Sequence, residues 1–251
     1  MRDALVRAHS RWVEVKVLLE NNPYKAPYLN DKHYRALSEA GVNVKWSDPL
    51  NYSLNHAKMM IIDEKAYVST GNFSYSLFKY NRDFIISLTD PSIIGQLRTL
   101  FLRDFEHKIW GVIHENIVIS PDNGRDKIHA LASSAKESID FYFPYIADDD
   151  FKQLLFDIAY NWVIVRWIVE EKFFKENPDI ISEFQDNNIS LRYLDDHKLH
   201  AKALLSDEKN LYVWSINFSR YSFDENREIG LMLGDSEIIS SFRDIFTRDF
   251  Q

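Results

Sequence analysis

The sequence predicts an α/β protein made of two similar lobes. Runs of β-branched residues that are typical of strands alternate with amphipathic segments that are typical of helices, a pattern that favours α/β architecture. One strand-like segment also occurs twice, since residues 11–20 (RWVEVKVLLE) match residues 161–170 (NWVIVRWIVE). With 251 residues, 45% of them hydrophobic, the chain can bury the core of one large domain or of two small ones.

The first half, residues 1–109, contains five predicted strands and two predicted helices. The strands are 13–19, 42–46, 57–63, 66–70 and 83–88, and the helices are 31–41 and 92–109. We predict that the first helix ends at Gly41, because glycine readily adopts the left-handed conformation that stops a helix.

The second half, residues 110–251, repeats this order after some additional elements. Its predicted strands are 116–120, 139–146, 162–169, 189–194, 201–207, 211–215 and 228–233. Its predicted helices are 126–138, 150–161, 178–187 and 236–249. We therefore predict two lobes that correspond to the two halves of the chain.

When the halves are aligned, part of the second half has no counterpart. Met1 falls opposite Phe151, so the strand–helix–strand unit of residues 117–150 has no equivalent in the first half. We expect the sheet of the first lobe to lack strands there and to expose an edge or an apolar surface. The result would be either low stability or association of copies of the chain into a homo-oligomer through that surface. Two alternatives stay open. Either the fold forms without this unit, or a parent protein begins about 30–40 residues earlier, in a region that could also hold a targeting or membrane segment.

A polar pattern, His-x-Lys-x-x-x-x-Asp, occurs once in each half. The first copy is His56, Lys58 and Asp63, and the second is His200, Lys202 and Asp207. A polar turn follows each copy, with Thr70 and Asn72 in the first half and Ser215 and Asn217 in the second. An Asn-Arg-acid triplet comes next, Asn81-Arg82-Asp83 or Asn226-Arg227-Glu228. Two long sets of polar residues at nearly equal spacing indicate a duplicated site.

These residue types suit a phosphodiester substrate. A neutral imidazole is a nucleophile toward phosphorus and an imidazolium is an acid for the leaving oxygen, so two histidines can divide these roles. A lysine two residues along a strand lies on the same face as the histidine and offers a cation to a phosphate oxygen. The turn hydroxyls and amides (Thr70, Ser215, Asn72 and Asn217) offer neutral donors to the same oxygens. An acid on the neighbouring strand can accept from the other imidazole nitrogen and fix its tautomer. None of these roles requires a metal ion or another cofactor.

The duplicated pattern resembles that of the phospholipase D superfamily, and the similarity covers both motif regions and most of the chain around them. The resemblance implies a two-lobed α/β sandwich with pseudo-twofold symmetry, one active site at the lobe interface, and a two-step, metal-independent reaction through a phosphohistidine. It implies that His56 is the nucleophile and His200 the general acid. The remaining roles implied by the resemblance are phosphate binding by Lys58, Lys202, Asn72 and Asn217, orientation of the histidines by Asp83 and Glu228, and structural support by Asp63 and Asp207. The sequence departs from the family pattern at two points. Ser69 and Trp214 stand where a glycine often precedes the turn, and Thr70 replaces the usual serine in the first copy.

Charge and composition narrow the choice of partner only in part. The chain has 30 Lys and Arg against 38 Asp and Glu, which gives a net charge of −8. It therefore has no overall basic character that would favour binding to nucleic acid. The same negative charge is repelled by an anionic membrane. The sequence has no cysteine, and neither a signal-peptide core nor a run long enough to span a bilayer is evident. We therefore expect a soluble, cytoplasmic protein.

The function that we expect is a phosphodiesterase or phosphatidyltransferase that acts on phospholipid, with peripheral membrane contact. A nuclease of the same superfamily is one alternative. A non-catalytic phosphate-binding or assembly module is another; the two complete His-Lys pairs argue against it and the unmatched unit argues for it. A metal-dependent hydrolase is disfavoured, because no clustered His and Asp set is evident. Arg82 and Arg227 are equally compatible with surface salt bridges and with substrate contacts.

Overall fold

A computed structural model describes residues 1–108 and 115–251, and it has the elements of both predicted lobes. The first half contains α1 (Arg2–His9), β1 (Lys16–Leu19), α2 (Asp31–Glu39), β2 (Asn43–Trp46), β3 (Met59–Ile62), β4 (Lys65–Ser69), α3 (Tyr75–Lys79), β5 (Asn81–Arg82), β6 (Ile85–Leu88) and α4 (Pro91–Phe105). The second half begins with β7 (Ile117–Ser120), α5 (Gly124–Ser134), β8 (Ser138–Tyr142), α6 (Asp149–Tyr160), β9 (Ile164–Val169), α7 (Glu171–Glu176) and α8 (Pro178–Asp186). It continues with β10 (Ile189–Tyr193), β11 (Lys198–Leu199), β12 (Ala203–Ser206), β13 (Asn210–Trp214), α9 (Arg220–Asp224), β14 (Glu228–Leu233) and α10 (Ser236–Asp249).

The second lobe is built on one seven-stranded sheet with the order β10-β9-β8-β12-β13-β14-β7. Strands β8, β9 and β10 are parallel, and the remaining pairs are antiparallel. Strand β8, the third in this order, joins the parallel part to the antiparallel part. Helices α5 and α6 pack on its outer face, where Phe141, Phe143 and Trp167 are fully buried.

The sheet of the first lobe is in two separate pieces. Strands β1 and β2 form a parallel pair, which corresponds to β9 and β10, and β3, β4 and β6 form an antiparallel sheet, which corresponds to β12, β13 and β14. Within residues 1–108 no strand takes the position of β8 between the two pieces, nor that of β7 at the edge. This confirms the expectation that the first lobe lacks strands where the strand–helix–strand unit has no counterpart.

The two lobes face each other across a shared apolar core. Val68 and Ile86 from the first lobe belong to the same buried cluster as Val213 and Leu231 from the second. Helices α4 and α10 close this core through residues such as Leu97 and Phe242. The arrangement is a two-lobed α/β sandwich with pseudo-twofold symmetry, as the sequence predicts.

Several predicted elements have different limits in the structure. The strand predicted at 83–88 is shortened to β6, which begins at Ile85, and Asp83 before it turns its carboxylate toward the other half. Strand β5, which precedes Asp83, was not predicted. The strand predicted at 139–146 ends at Tyr142, before Pro144, which cannot donate to a neighbouring strand. The helix predicted at 126–138 ends at Ser134, because Ala135 is extended.

Helices α1, α3, α7 and α9 were not predicted, and all four are short. The helix predicted at 92–109 ends at Phe105, while its last residue and the proposed boundary between the halves lie outside the described residues. In the described part of the chain, no helix is long and apolar enough to cross a bilayer.

Candidate active site at the lobe interface

Two short parallel pairings bring the histidines of one half to the acidic triplet of the other. Strand β11, which precedes His200, pairs with β5, and Asn55, which precedes His56, bridges to Arg227. The backbone N–H of His56 donates to the carbonyl of Arg227 at 2.8 Å, and that of His200 donates to the carbonyl of Arg82 at 3.1 Å. Both histidines therefore lie at the interface between the lobes.

Each imidazole is held by the acid of the opposite half. Nδ1 of His56 lies 2.8 Å from Oε2 of Glu228, and Nδ1 of His200 lies 3.0 Å from Oδ1 of Asp83. A protonated Nδ1 that donates to the carboxylate leaves Nε2 with its lone pair available. The sequence predicts that an acid fixes each tautomer, and the structure adds that the acids are exchanged between the halves.

The hydroxyls of the polar turns bind these carboxylates. Thr70 donates to Asp83 at 2.6 Å, and Ser215 donates to Glu228 at 2.6 Å. Each hydroxyl oxygen also accepts a backbone N–H, from Phe84 and Ile229 respectively. Because their protons are used in this way, Thr70 and Ser215 support the acids in this arrangement, and phosphate binding by these hydroxyls stays a prediction.

The two motif lysines are buried between the lobes. The ammonium group of Lys202 donates to the carbonyl of His200 at 2.7 Å and to that of Thr70, in the other half, at 3.4 Å, and Lys58 donates to the carbonyl of His56. Burial is the main cause that lowers the pKa of Lys58 to about 7 and that of Lys202 to about 8. Both lysines therefore carry charge that an anion binding beside them would stabilise.

The histidines and acids are held in complementary protonation states. The positive charge of Lys202, together with burial, lowers the pKa of His200 to about 4, and burial is the main cause that lowers the pKa of His56. For Asp83 and Glu228, burial opposes ionisation, but their contacts with the histidines and the nearby positive charges outweigh it, and the pKa of each is below its ordinary value. Neutral imidazoles beside ionised carboxylates are the state that a nucleophile and a base require.

The turn asparagines lie in equivalent positions after β4 and β13. Their carbonyls accept the backbone N–H of Ser74 and Ser219, which are the N-caps of α3 and α9. The amide side chains of Asn72 and Asn217 make no hydrogen bond to the described residues. Their assignment to phosphate binding stays a prediction.

The motif aspartates have different surroundings in the two halves. The carboxylate of Asp207 accepts the backbone N–H groups of Lys136, Glu137 and Ser138, at the entry to β8. Asp63 has the same left-handed backbone, with φ of 52° against 51°, but its carboxylate binds no described residue. A structural role is therefore visible for Asp207, while the segment that would need Asp63 has no counterpart in the first half.

Two residues at the site were not identified from the sequence. Gly71 lies so close to Asp83 that an added Cβ would be 2.4 Å from its Oδ2. The carboxylate of Glu20 accepts the N–H of Asn55 at 2.7 Å and thereby fixes the loop before His56. The small residue within TGN was a usable signal for Gly71, but Glu20 is 36 positions from His56 and no pattern connects them.

The fold and the paired histidines define a two-lobed protein whose single site is built from two copies of one motif. Comparison with known families identifies the family to which the chain belongs. The family model described as "Cardiolipin synthase, PLD-like domain" matches residues 1–105 and 128–250. The chain therefore belongs to this family of the phospholipase D superfamily, as the duplicated motif indicated.

Known proteins that are similar to the chain have several different activities. Among curated proteins, polyphosphate kinase from Klebsiella pneumoniae is 24% identical over 262 residues, and cardiolipin synthase 1 from Bacillus anthracis is 24% identical over 304 residues. The alignments cover 97% and 100% of this chain but only 38% and 58% of those relatives.

Among solved structures, the phosphatidylserine synthase of Haemophilus influenzae has a TM-score of 0.80 at 11% identity, covering 99% of this chain and 77% of that one. The polyphosphate kinase of Porphyromonas gingivalis has a TM-score of 0.76 at 16% identity, covering 100% and 43%. These similarities establish the fold, and the named activities are those of the relatives.

Proposed function

We propose that the chain cleaves or transfers a phosphodiester through a covalent phosphohistidine, and that its substrate is a phospholipid. The observation that carries the proposal is the exchange of acids: each imidazole has Nδ1 held by a buried carboxylate of the other half, which leaves two Nε2 atoms available at one interface. The phospholipid assignment is supported by the family and by the likeness to a phosphatidylserine synthase.

In the first step, Nε2 of His56 attacks phosphorus, and the bond between phosphorus and the leaving oxygen breaks. The leaving oxygen takes a proton from Nε2 of His200. The low pKa of His200 is caused mainly by the positive charge of Lys202. A bound phosphate anion offsets that positive charge, so substrate binding raises the pKa of His200 and supplies the protonated acid.

In the second step, His200 accepts a proton from water or from an alcohol, and the oxygen so activated attacks phosphorus. The bond between phosphorus and His56 breaks, and both histidines return to their starting states. Lys58 and Lys202, with the amides of Asn72 and Asn217, stabilise the negative charge on the phosphate oxygens in both steps. This scheme assigns the charge stabilisation to protein groups, so we expect full activity in the presence of a chelator.

The test uses the purified chain with phosphatidylglycerol vesicles, single- and double-stranded DNA, and polyphosphate, each with and without EDTA and with and without an added alcohol. Phospholipid with a labelled phosphate should give phosphatidic acid or a new phosphatidyl ester and leave an acid-labile label on the protein. The label should be absent in His56→Asn.

Cleavage of DNA without turnover of lipid would favour the nuclease alternative. Polyphosphate turnover alone would place the chain functionally beside the polyphosphate kinases. Binding of anions without any turnover would favour the non-catalytic module. Activity that is lost in EDTA and restored by a divalent ion would exclude the proposed chemistry.

A further inference from the structure

The arginine of each Asn-Arg-acid triplet lies outside the phosphate site and is paired across the lobe interface. Nη2 of Arg82 donates to Asp249 at 2.9 Å, and Nη2 of Arg227 donates to Asp104 at 2.9 Å. Successive side chains on a strand point to opposite faces, so the acid beside each arginine can face the histidine while the arginine faces away. Both arginines therefore form ion pairs that cross the lobe interface.

The two pairs are reciprocal. Asp104 lies in the last turn of α4 and Asp249 in that of α10, and each stands in an Arg-Asp-Phe sequence, residues 103–105 and 248–250. In both halves the aspartate comes 22 positions after the triplet arginine, yet each arginine binds the aspartate of the opposite half. The repeat therefore includes a third element beyond the histidine motif and the triplet.

Each arginine residue also holds the opposite histidine through its backbone. The carbonyl of Arg227 accepts the N–H of His56 at 2.8 Å, and the neighbouring Glu228 holds Nδ1 of the same histidine. The carbonyl of Arg82 accepts the N–H of His200, and the neighbouring Asp83 holds its Nδ1. A shift of either arginine would move both contacts of one histidine together.

Stability alone does not account for these pairs. The side chain of Arg227 is 0% exposed, and Tyr52 and Asp104 share its Nη2. Its Nε and Nη1 have no hydrogen-bond partner among the described residues, although Nη1 lies 3.6 Å from the carboxylate of Asp122. A buried ion pair of this kind usually adds little net stability over apolar side chains of similar size. Arg82 is less enclosed, since 27% of its side chain is exposed.

We infer that Arg227 with Asp104, and Arg82 with Asp249, are positioning residues: each pair anchors the acid-bearing strand of one half to the last helix of the other and thereby sets the orientation of one histidine. Arg227 and Asp104 govern His56, and Arg82 and Asp249 govern His200. The kinetic effects expected from this inference rest on the proposed function, whereas the expected structural effects do not.

The first experiment records the imidazole nitrogens of ¹⁵N-labelled protein by long-range ¹H–¹⁵N NMR in the wild type, the double variant Arg227→Met/Asp104→Leu, and the single variant Arg82→Met. The double variant replaces the buried ion pair with apolar side chains, so we expect it to fold. We expect the Nδ1-protonated signal of His56 to weaken or shift in the double variant with His200 unchanged, and the reverse in Arg82→Met. Arg243→Met, which removes an exposed ion pair with Glu208, is the control and should change neither signal.

The second experiment measures kcat and KM of the same proteins on the phosphodiester that the wild type turns over fastest in the substrate panel. We expect kcat to fall about 100-fold in Arg227→Met/Asp104→Leu and about tenfold in Arg82→Met, with KM within about threefold, because misplacement of a reacting group acts on the chemical step.

Unchanged imidazole signals in both variants, or equal changes of both histidines in each, would overturn the inference whether or not turnover is found. If Arg227→Met/Asp104→Leu does not fold, the inference is tested by Arg82→Met alone, in which the imidazole signal of His200 should change and that of His56 should not. Absence of turnover in the wild type together with the crossed NMR pattern would leave the positioning role in place and refute the proposed function.

Discussion

The two lobes are nearly equivalent at the active site and very different in their outer cores. In the second lobe, Phe223 of α9 is 1% exposed and packs against Arg125 and Phe218, whereas Phe78, at the same place in α3, is 69% exposed. Arg125 belongs to α5, a helix without a counterpart among residues 1–108. The outer core of the second lobe therefore depends on the strand–helix–strand unit.

The site, in contrast, uses only elements that both halves possess. Its histidines, lysines and acids lie on or beside β3, β5 and β6 in one half and on or beside β12 and β14 in the other. The duplication extends to the backbone, since Trp12 and Trp162 have φ of 67° and 68°. The site therefore requires the shared lobe interface, where the first lobe contributes most of its buried apolar residues, and does not require a complete sheet in each lobe.

The largest expected effect is on catalysis, where the lobes should be equivalent. His56→Asn and His200→Asn should each lower kcat by about 1,000-fold or more, since the nucleophile and the acid are both needed. The thermal midpoints of the two variants should stay near that of the wild type, because both imidazoles are partly exposed. Wild-type turnover in either variant would show that the halves are not equivalent at the site.

The next largest effect should separate the lobes by stability. Phe223→Ala should lower the free energy of unfolding by about 3–5 kcal/mol, because it opens a cavity in the core of the second lobe. Phe78→Ala, the matched variant, should change it by less than about 0.5 kcal/mol, because that ring is in solvent. Urea unfolding measures both values, and a large loss for Phe78→Ala would mean that the first lobe has a covered outer face in solution.

The sequence predicts the fold well where each element has its own local pattern. The strands and helices around the motifs are correct in type because their apolar residues recur with a clear period, and the unmatched unit is visible from the offset of the halves alone. The predicted limits of β6 and β8 were wrong, because Asp83 binds a histidine of the other half and Pro144 cannot donate to a neighbouring strand.

The exchange of acids could not be predicted from the sequence. Asp83 and Glu228 stand at nearly equal distances along the chain from the histidines of their own halves, which suggests pairing within a half. The parallel pairing of β5 with β11 brings Asp83 to His200, and the parallel bridge between Asn55 and Arg227 brings Glu228 to His56. The hydroxyls of Thr70 and Ser215 were expected to face phosphate for the same reason: the sequence does not show which acceptor lies nearest.

A third effect tests how closely the first half is packed around its acid. Gly71→Ala places a methyl group against Asp83, so we expect the acid to move away from His200 and kcat to fall about 10- to 100-fold. The equivalent position in the second half is Ile216, which shows that only the first half requires glycine here. Gly95→Ala is the control, because a Cβ added at Gly95 would have nothing within 4 Å. This variant should gain about 0.4–1 kcal/mol in the free energy of unfolding and keep its kcat.

A smaller effect concerns the two buried lysines. Each is charged below its pKa, about 7 for Lys58 and about 8 for Lys202, so kcat/KM should fall about tenfold as the pH rises from 7 to 8. A bound phosphate favours the charged lysines, so the alkaline limb of kcat should lie at higher pH than that of kcat/KM. Identical limbs in the two profiles would show that these lysines do not bind the substrate.

The smallest effect concerns association through the open face of the first lobe. Met60, Ile62, Tyr67 and Ile85 alternate with residues of the central core, so they lie on the outer face of the β3-β4-β6 sheet. Ile62 and Ile85 are 51% and 38% exposed.

An apolar face beside an unpaired strand edge favours self-association, so we expect the sedimentation coefficient of the wild type to rise with concentration. Phe78→Asp combined with Ile85→Lys should suppress this rise while kcat is unchanged, because neither side chain belongs to the site. Tyr160→Asp, which alters a residue of the second lobe that is 81% exposed, is the matched control and should leave the association as it is. A wild type that stays monomeric at all concentrations would show that the exposed face of the first lobe does not drive association, and the difference between the lobes would then be one of packing alone.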